Sequence, residues 1–182
     1  MSRYLKYLLQ FILLILFQTL ILNNITLNWW SQPKGFPVFT PYIYPLFILL
    51  IPFEAPVWLL LALGFITGLT MDSFMNTPGM HAFAMVLIAY LRTNVLLALL
   101  PKHMKEYYQL SPSVKTMGWA PFLTYSSFLI LIHHSTFFII ELWSLSNIGY
   151  LLLKILASTL TSLLLISAYL LLFSRRASMQ QR

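Results

Sequence analysis

The sequence predicts an all-α integral membrane protein, a single domain of six transmembrane helices over residues 1–182. Three observations predict it. Hydrophobic residues make up 59% of the chain and charged residues only 8%, against about 25% charged in soluble domains, too few to cover a water-facing surface. The apolar residues gather into runs, several of them near the ~20 residues a helix needs to cross the hydrocarbon core. Eight of the eleven cations fall in three groups at or beyond the ends of these runs.

The first run, 5–22, lies in "MSRYLKYLLQFILLILFQTLIL". It is longer than the ~7–15 apolar residues of a secretory signal. The "NNITLNWW" behind it offers no small-x-small cleavage site, so a retained helix is expected. In the loop that follows, Trp29 and Trp30 suit a membrane interface. Runs two (42–51, interrupted by Pro45) and three (56–71) are short and proline-flanked in "PYIYPLFILLIPFEAPVW". Runs four (80–100), five (119–143) and six (148–173) are long enough to span. Pro101 closes run four, because proline lacks a backbone donor and disfavours helix before it. Residues 101–118, "PKHMKEYYQLSPSVKTMG", read as a solvated cytoplasmic loop.

Fusing runs two and three into one kinked helix would give five spans. Charge placement favours six. Arg3 and Lys6 stand at the start of run one, Lys102, Lys105 and Lys115 lie between runs four and five, and Arg175, Arg176 and Arg182 follow run six. With six spans all three groups share a side, which the positive-inside rule makes cytoplasmic, with both termini there. The net charge of +7 is then a topological signal, and no nucleic-acid partner is implied.

The polar exceptions gather at "GFITGLTMDSFMNTPGMHAFA" (64–84). Gly64, Gly68 and Asp72 recur at every fourth residue and line one helix face. "GFITG" is a small-xxx-small pattern that lets another backbone approach in lipid. "NTPG" reads as a helix start, with Thr77 as N-cap and Pro78 first in the helix. Asp72 then either stabilises the positive end of helix four or joins His81 in an outward-facing polar cavity or partner site. Small residues on run four (Gly79, Ala82, Val86, Ala89, Thr93) predict a close antiparallel hairpin with run three, Asp72 and Asn76 at its crown. On run five, Ser127, His134 and Glu141 share a face. On run six, Lys154, Ser158 and Thr161 or Ser162 do. Glu141 and Lys154 either pair or reach water separately. The candidate partner-binding or outer-cavity residues are therefore Gly64, Gly68, Asp72, Gly79, His81, Glu141 and Lys154.

Little else suggests chemistry. The chain has no cysteine, which excludes disulfides, iron–sulfur clusters and thiolate zinc sites. His133 and His134 are adjacent and point different ways on a helix, with no third ligand at suitable spacing, so no metal and no cofactor are expected. There is no G-x-S-x-G elbow, H-E-x-x-H pair or phosphate loop, and four acids in all offer no carboxylate pair. An enzyme is not expected.

The stretch "GLTMDSFMNTPGMHAFAMVLIAYLR" (68–92) resembles the MreD family of bacterial rod shape-determining membrane proteins. The shared pattern is G-x-x-x-D, then G-x-H-A, then A-Y-L: Gly68, Asp72, Gly79, His81, Ala82, Ala89, Tyr90 and Leu91. The resemblance implies a non-catalytic scaffold in the bacterial inner membrane. It would bind a single-span MreC-like protein and, through the complex, an MreB-like filament, a RodA-like polymerase and its transpeptidase. It also implies a fold resembling the six-helix substrate-capture subunits of energy-coupling-factor transporters. That likeness suggests an alternative, in which Asp72, His81, Glu141 and Lys154 line a pocket for a small, vitamin-like molecule. A lipid-modifying enzyme is a third reading and lacks catalytic residues.

Overall fold

The computed structural model describes residues 3–24, 39–100, 110–143 and 147–178. Trp29, Trp30, Lys102, Lys105 and Arg182 lie outside the described residues. The elements are α1 (Arg3–Leu20, followed by a 3-10 turn, Leu22–Asn24), α2 (Leu46–Leu49), α3 (Val57–Met75), α4 (Met80–Leu99), α5 (Val114–Met117), α6 (Trp119–Leu142) and α7 (Ile148–Ser178). Among the described residues there is no strand. Five helical stretches are long and apolar enough to cross a membrane: Leu5–Asn24, Val57–Met75, Met80–Leu99, Trp119–Leu142 and Ile148–Leu172. Their outward faces carry large apolar side chains such as Leu13, Trp58, Phe74, Leu164 and Leu172, which suit lipid and not water. The chain is an all-helical, multi-pass membrane protein.

The second predicted run departs from expectation. It forms no long helix, so five long helices stand where six were expected. Pro41, Pro45, Pro52 and Pro56 punctuate residues 41–56. Each removes a backbone donor, and only the four-residue α2 forms between them. This broken segment still runs through the middle of the bundle. Tyr42 meets Ser162 of α7 at one end, and Phe53 N–H donates to the Leu110 carbonyl at the other. Along α4 its contacts pass from His81 to Arg92, eleven residues apart, or about 16 Å of helix.

Irregular backbone at membrane depth is tolerated only where protein supplies the missing hydrogen bonds, and polar side chains of the long helices do so here. Gln18 of α1 donates to the Pro41 carbonyl at 3.1 Å and accepts from Ile43 N–H at 2.9 Å. Ser158 and Ser162 of α7 accept from Thr40 N–H and Tyr42 N–H at 2.9 and 2.8 Å. Tyr125 of α6 donates to the Leu49 carbonyl at 3.1 Å. The Arg92 guanidinium donates to the carbonyls of Ile51 and Pro52. Gln18, Arg92, Ser158 and Ser162 are all fully buried. This single segment accounts for Gln18, Arg92, Ser158 and Ser162 among the buried polar groups.

Candidate functional site

The α3–α4 hairpin is the first part of the site, and its glycines set the helix separation. A Cβ added at Gly68 would overlap the Cα of Ala82 and stand 2.6 Å from the Ala82 nitrogen and the His81 carbonyl oxygen. At Gly64 it would stand 3.0 Å from the Met85 carbonyl oxygen and 3.1 Å from the Ala89 Cβ. The expected small-residue contact is therefore present. Of the expected small-residue stripe on α4, Ala82 and Ala89 meet the two glycines, with the Met85 carbonyl between them.

The start of α4 also differs from expectation. Thr77 is not its N-cap, and Pro78 does not open it. The helix begins at Met80, behind Gly79 at φ 79°, and Gly79 has no side chain to cap with. The cap comes from the previous helix. Asp72 Oδ1 accepts from His81 N–H at 3.0 Å and from the Thr77 hydroxyl at 2.8 Å, while Oδ2 accepts from Ala82 N–H at 2.9 Å. Both carboxylate oxygens thus satisfy backbone donors that the first helical turn leaves open, and the negative charge sits at the positive end of the helix dipole. The reversal between the helices is tight because Asn76 takes the left-handed conformation, φ 59°, which asparagine tolerates.

Beneath this hairpin lies a buried polar and aromatic cluster. Tyr44, from the broken segment, places its hydroxyl 2.7 Å from His81 Nδ1 and 2.7 Å from His133 Nε2. His134 Nδ1 donates to the Ile130 carbonyl at 2.9 Å, and its Nε2 lies 3.3 Å from Ser162 Oγ. Tyr42 packs against all three imidazoles and against Phe137 and Phe138. Further along, Lys154 Nζ bonds Glu141 at 2.6 Å and lies 4.6 Å over the Phe138 ring. Lys154 is buried and Glu141 is about a quarter exposed, so the two form a pair and do not reach water separately. The pair offsets the cost of placing a cation at this depth.

Comparison of the chain with family models, with curated proteins and with solved structures finds no match.

Of the sequence candidates, the structure joins Gly64, Gly68, Asp72, Gly79 and His81 in the hairpin. It joins Glu141 to Lys154 on the neighbouring α6 and α7. The carboxylates of Asp72 and Glu141 are already bonded within the protein. On α6, Ser126 is buried in place of Ser127, and it bonds its own helix at Phe122. On α7, Ser162 faces inward while Thr161 bonds its own backbone. Sequence reasoning missed Tyr42, Tyr44, Gln18, Arg92 and Tyr125. A signal existed for two of them: Gln18 and Arg92 interrupt apolar runs, and an intramembrane polar residue marks a partner or a function. Among the described residues, no three His, Asp or Glu side chains converge as a metal site.

A separate apolar groove of about 540 Å³ opens where the start of α1 meets α2 and the start of α3. Tyr7, Leu8 and Phe11 form one wall, and Leu59, Leu63 and Ile66 the other, with Phe47 and Ile51 between. Leu8 and Ile66 are each more than half exposed, so the groove opens to the lipid side.

Proposed function

We propose that this chain is a non-catalytic subunit of a bacterial cell-wall elongation complex. In this reading it is an MreD-like scaffold in the inner membrane. It binds a single-span MreC-like protein and, through it, an MreB-like filament, a RodA-like polymerase and its transpeptidase. The observation that carries the reading is the lipid-facing groove between α1 and α3. Its lining is mostly apolar, with Glu54 and Thr67 as polar exceptions, which suits a partner that presents a membrane helix, since close packing is a main source of helix association in lipid. The hairpin supports the same reading. Gly68, Asp72 and Ala82, residues of the resemblance, hold α3 against α4, with the His81 backbone N–H as a further tie.

The test uses the full chain co-expressed with the MreC-like protein. Leu63→Trp fills the groove and is expected to lower partner recovery with little change in membrane abundance. Leu164→Trp, on the exposed face of α7, should leave recovery unchanged. Equal recovery for both variants would discard the groove, and no recovery with the unaltered chain would discard the scaffold.

Topology belongs to the same proposal. The broken segment, passing from the Ser162 end to the Arg92 end, supports six crossings, only five of them long helices. Both termini then lie in the cytoplasm, beside Lys115. A reporter active only outside the membrane, fused after Arg182, is expected to be silent. A strong signal there would remove the six-crossing arrangement.

A further inference from the structure

The centre of the bundle holds a phenol between two imidazoles. The Tyr44 hydroxyl has one proton to donate, so it donates to one histidine and accepts from the other. Two arrangements satisfy this. In the first, His133 Nε2–H donates to Tyr44, and Tyr44 donates to His81 Nδ1. That leaves a lone pair on His133 Nδ1 and a proton on His81 Nε2. In the second, every bond is reversed, leaving a proton on His133 Nδ1 and a lone pair on His81 Nε2. These two outer nitrogens find no partner in the structure, as do Arg92 Nε and Thr159 Oγ1, and both histidines are fully buried. Buried imidazole nitrogens without partners are uncommon and call for an explanation.

The two arrangements differ by one proton transfer. If a proton binds His133 Nδ1, the Nε2 proton can pass to the Tyr44 oxygen. The Tyr44 proton then passes to His81 Nδ1, and the Nε2 proton of His81 leaves. One proton enters, one leaves, both histidines end neutral, and the first arrangement has become the second; the chain passes another proton in the same direction only after both histidines return to their first tautomers. The two unpartnered nitrogens are the entry and exit of this chain. We propose that His133, Tyr44 and His81 form a one-proton transfer chain within the membrane-spanning bundle. Chains of ionisable side chains are how membrane proteins relay protons.

Burial disfavours a charged imidazole at this depth, so any cation on the chain is short-lived. The Asp72 carboxylate of α3 lies against His81, accepting its backbone N–H at 3.0 Å. On α6, His134 stands with its ring 5.5 Å from that of His133. Tyr42, from the broken segment, packs edge-on to both chain histidines, 5.2 Å from His81 and 5.8 Å from His133. The one cation of the cluster, Lys154 of α7, is held by Glu141 of α6. Phe137 stacks on His81 at 4.3 Å, and this apolar wall favours transfer through the side chains over an open water column.

The test is proton flux into vesicles that hold the purified full chain and an internal pH-sensitive dye, driven by a potassium diffusion potential. The unaltered chain is expected to acidify the interior several-fold faster than protein-free vesicles do. Tyr44→Phe keeps the ring and removes the transferring oxygen, and should return flux to the protein-free rate. Ser126→Ala, which alters a hydroxyl bonded only to its own helix, should keep the flux. Flux with the unaltered chain equal to that of empty vesicles overturns the proposal, whatever the variants do. Flux undiminished in Tyr44→Phe also overturns it. Flux is read without any partner, so this result and that of the scaffold reading are independent.

Discussion

Replacing Gly68 by leucine should remove most of the protein from the membrane fraction, while Leu69→Ile leaves it at the normal level. Leu69 is about half exposed, toward lipid, and its exchange for another branched apolar side chain changes little. Gly68 is buried against the backbone of Ala82 and His81. Its first added carbon meets main-chain atoms, which cannot swing aside as a flexible side chain could. Overpacking costs about 1–3 kcal/mol where neighbours can adjust, and here the whole of α3 must move from α4. The expected loss is at or above the top of that range, and even Gly68→Ala should be clearly destabilising. Thermal melting of the detergent-solubilised variants is the measurement. Matching midpoints for Gly68→Leu and Leu69→Ile would refute the close contact.

Asp72→Ala should be nearly as damaging, for a different reason. It strands His81 N–H and Ala82 N–H, two buried donors, and the Thr77 hydroxyl. An unsatisfied buried donor costs about 1–3 kcal/mol, so the two amides together lose roughly 2–6 kcal/mol. Asparagine caps helices well when one oxygen suffices. Both oxygens of Asp72 accept here, so the amide NH2 of Asp72→Asn must face one of the two backbone donors. The expected order of stability is aspartate, asparagine, alanine, read as melting midpoints and membrane abundance. Under the scaffold reading, partner recovery should fall in step with abundance, because Asp72 acts by shaping the hairpin. Normal abundance with lost partner would instead place Asp72 on the partner surface. Asparagine as stable as aspartate would show that the second oxygen carries nothing.

Much of the hairpin was legible because its logic is local. Gly64, Gly68 and Asp72 fall on one face by helical period alone, and the reversal is signalled by Asn76, Pro78 and Gly79. The cap was misassigned for a related reason. Thr77 and Pro78 have the right chemistry for a helix start, but the αL turn at Gly79 moves that start to Met80, and a residue eight positions upstream takes over the capping. Lys154 and Glu141 were recognised as possible partners because both interrupt apolar runs at similar depth. That they do pair required the actual rotation of α6 against α7.

The sequence by itself determined the membrane, the five long helices and the hairpin. Composition decides the first, run length the second, and the four-residue spacing of small residues the third, and all three depend on properties of neighbouring residues. Only the tertiary structure decided the path of residues 39–53 and the cluster around it. By sequence this stretch counts among six helices, and the prolines break it to the four residues Leu46–Leu49. They do not say which side chains will satisfy its free N–H and C=O groups. Gln18, Arg92, Tyr125, Ser158 and Ser162 come from four helices far apart in the chain and meet only when the bundle closes. Tyr44 reaches His81 and His133 by the same closure, from 37 and 89 residues away. A hydrogen bond at that separation has no period to betray it, because it is set by the rotation and depth of packed helices.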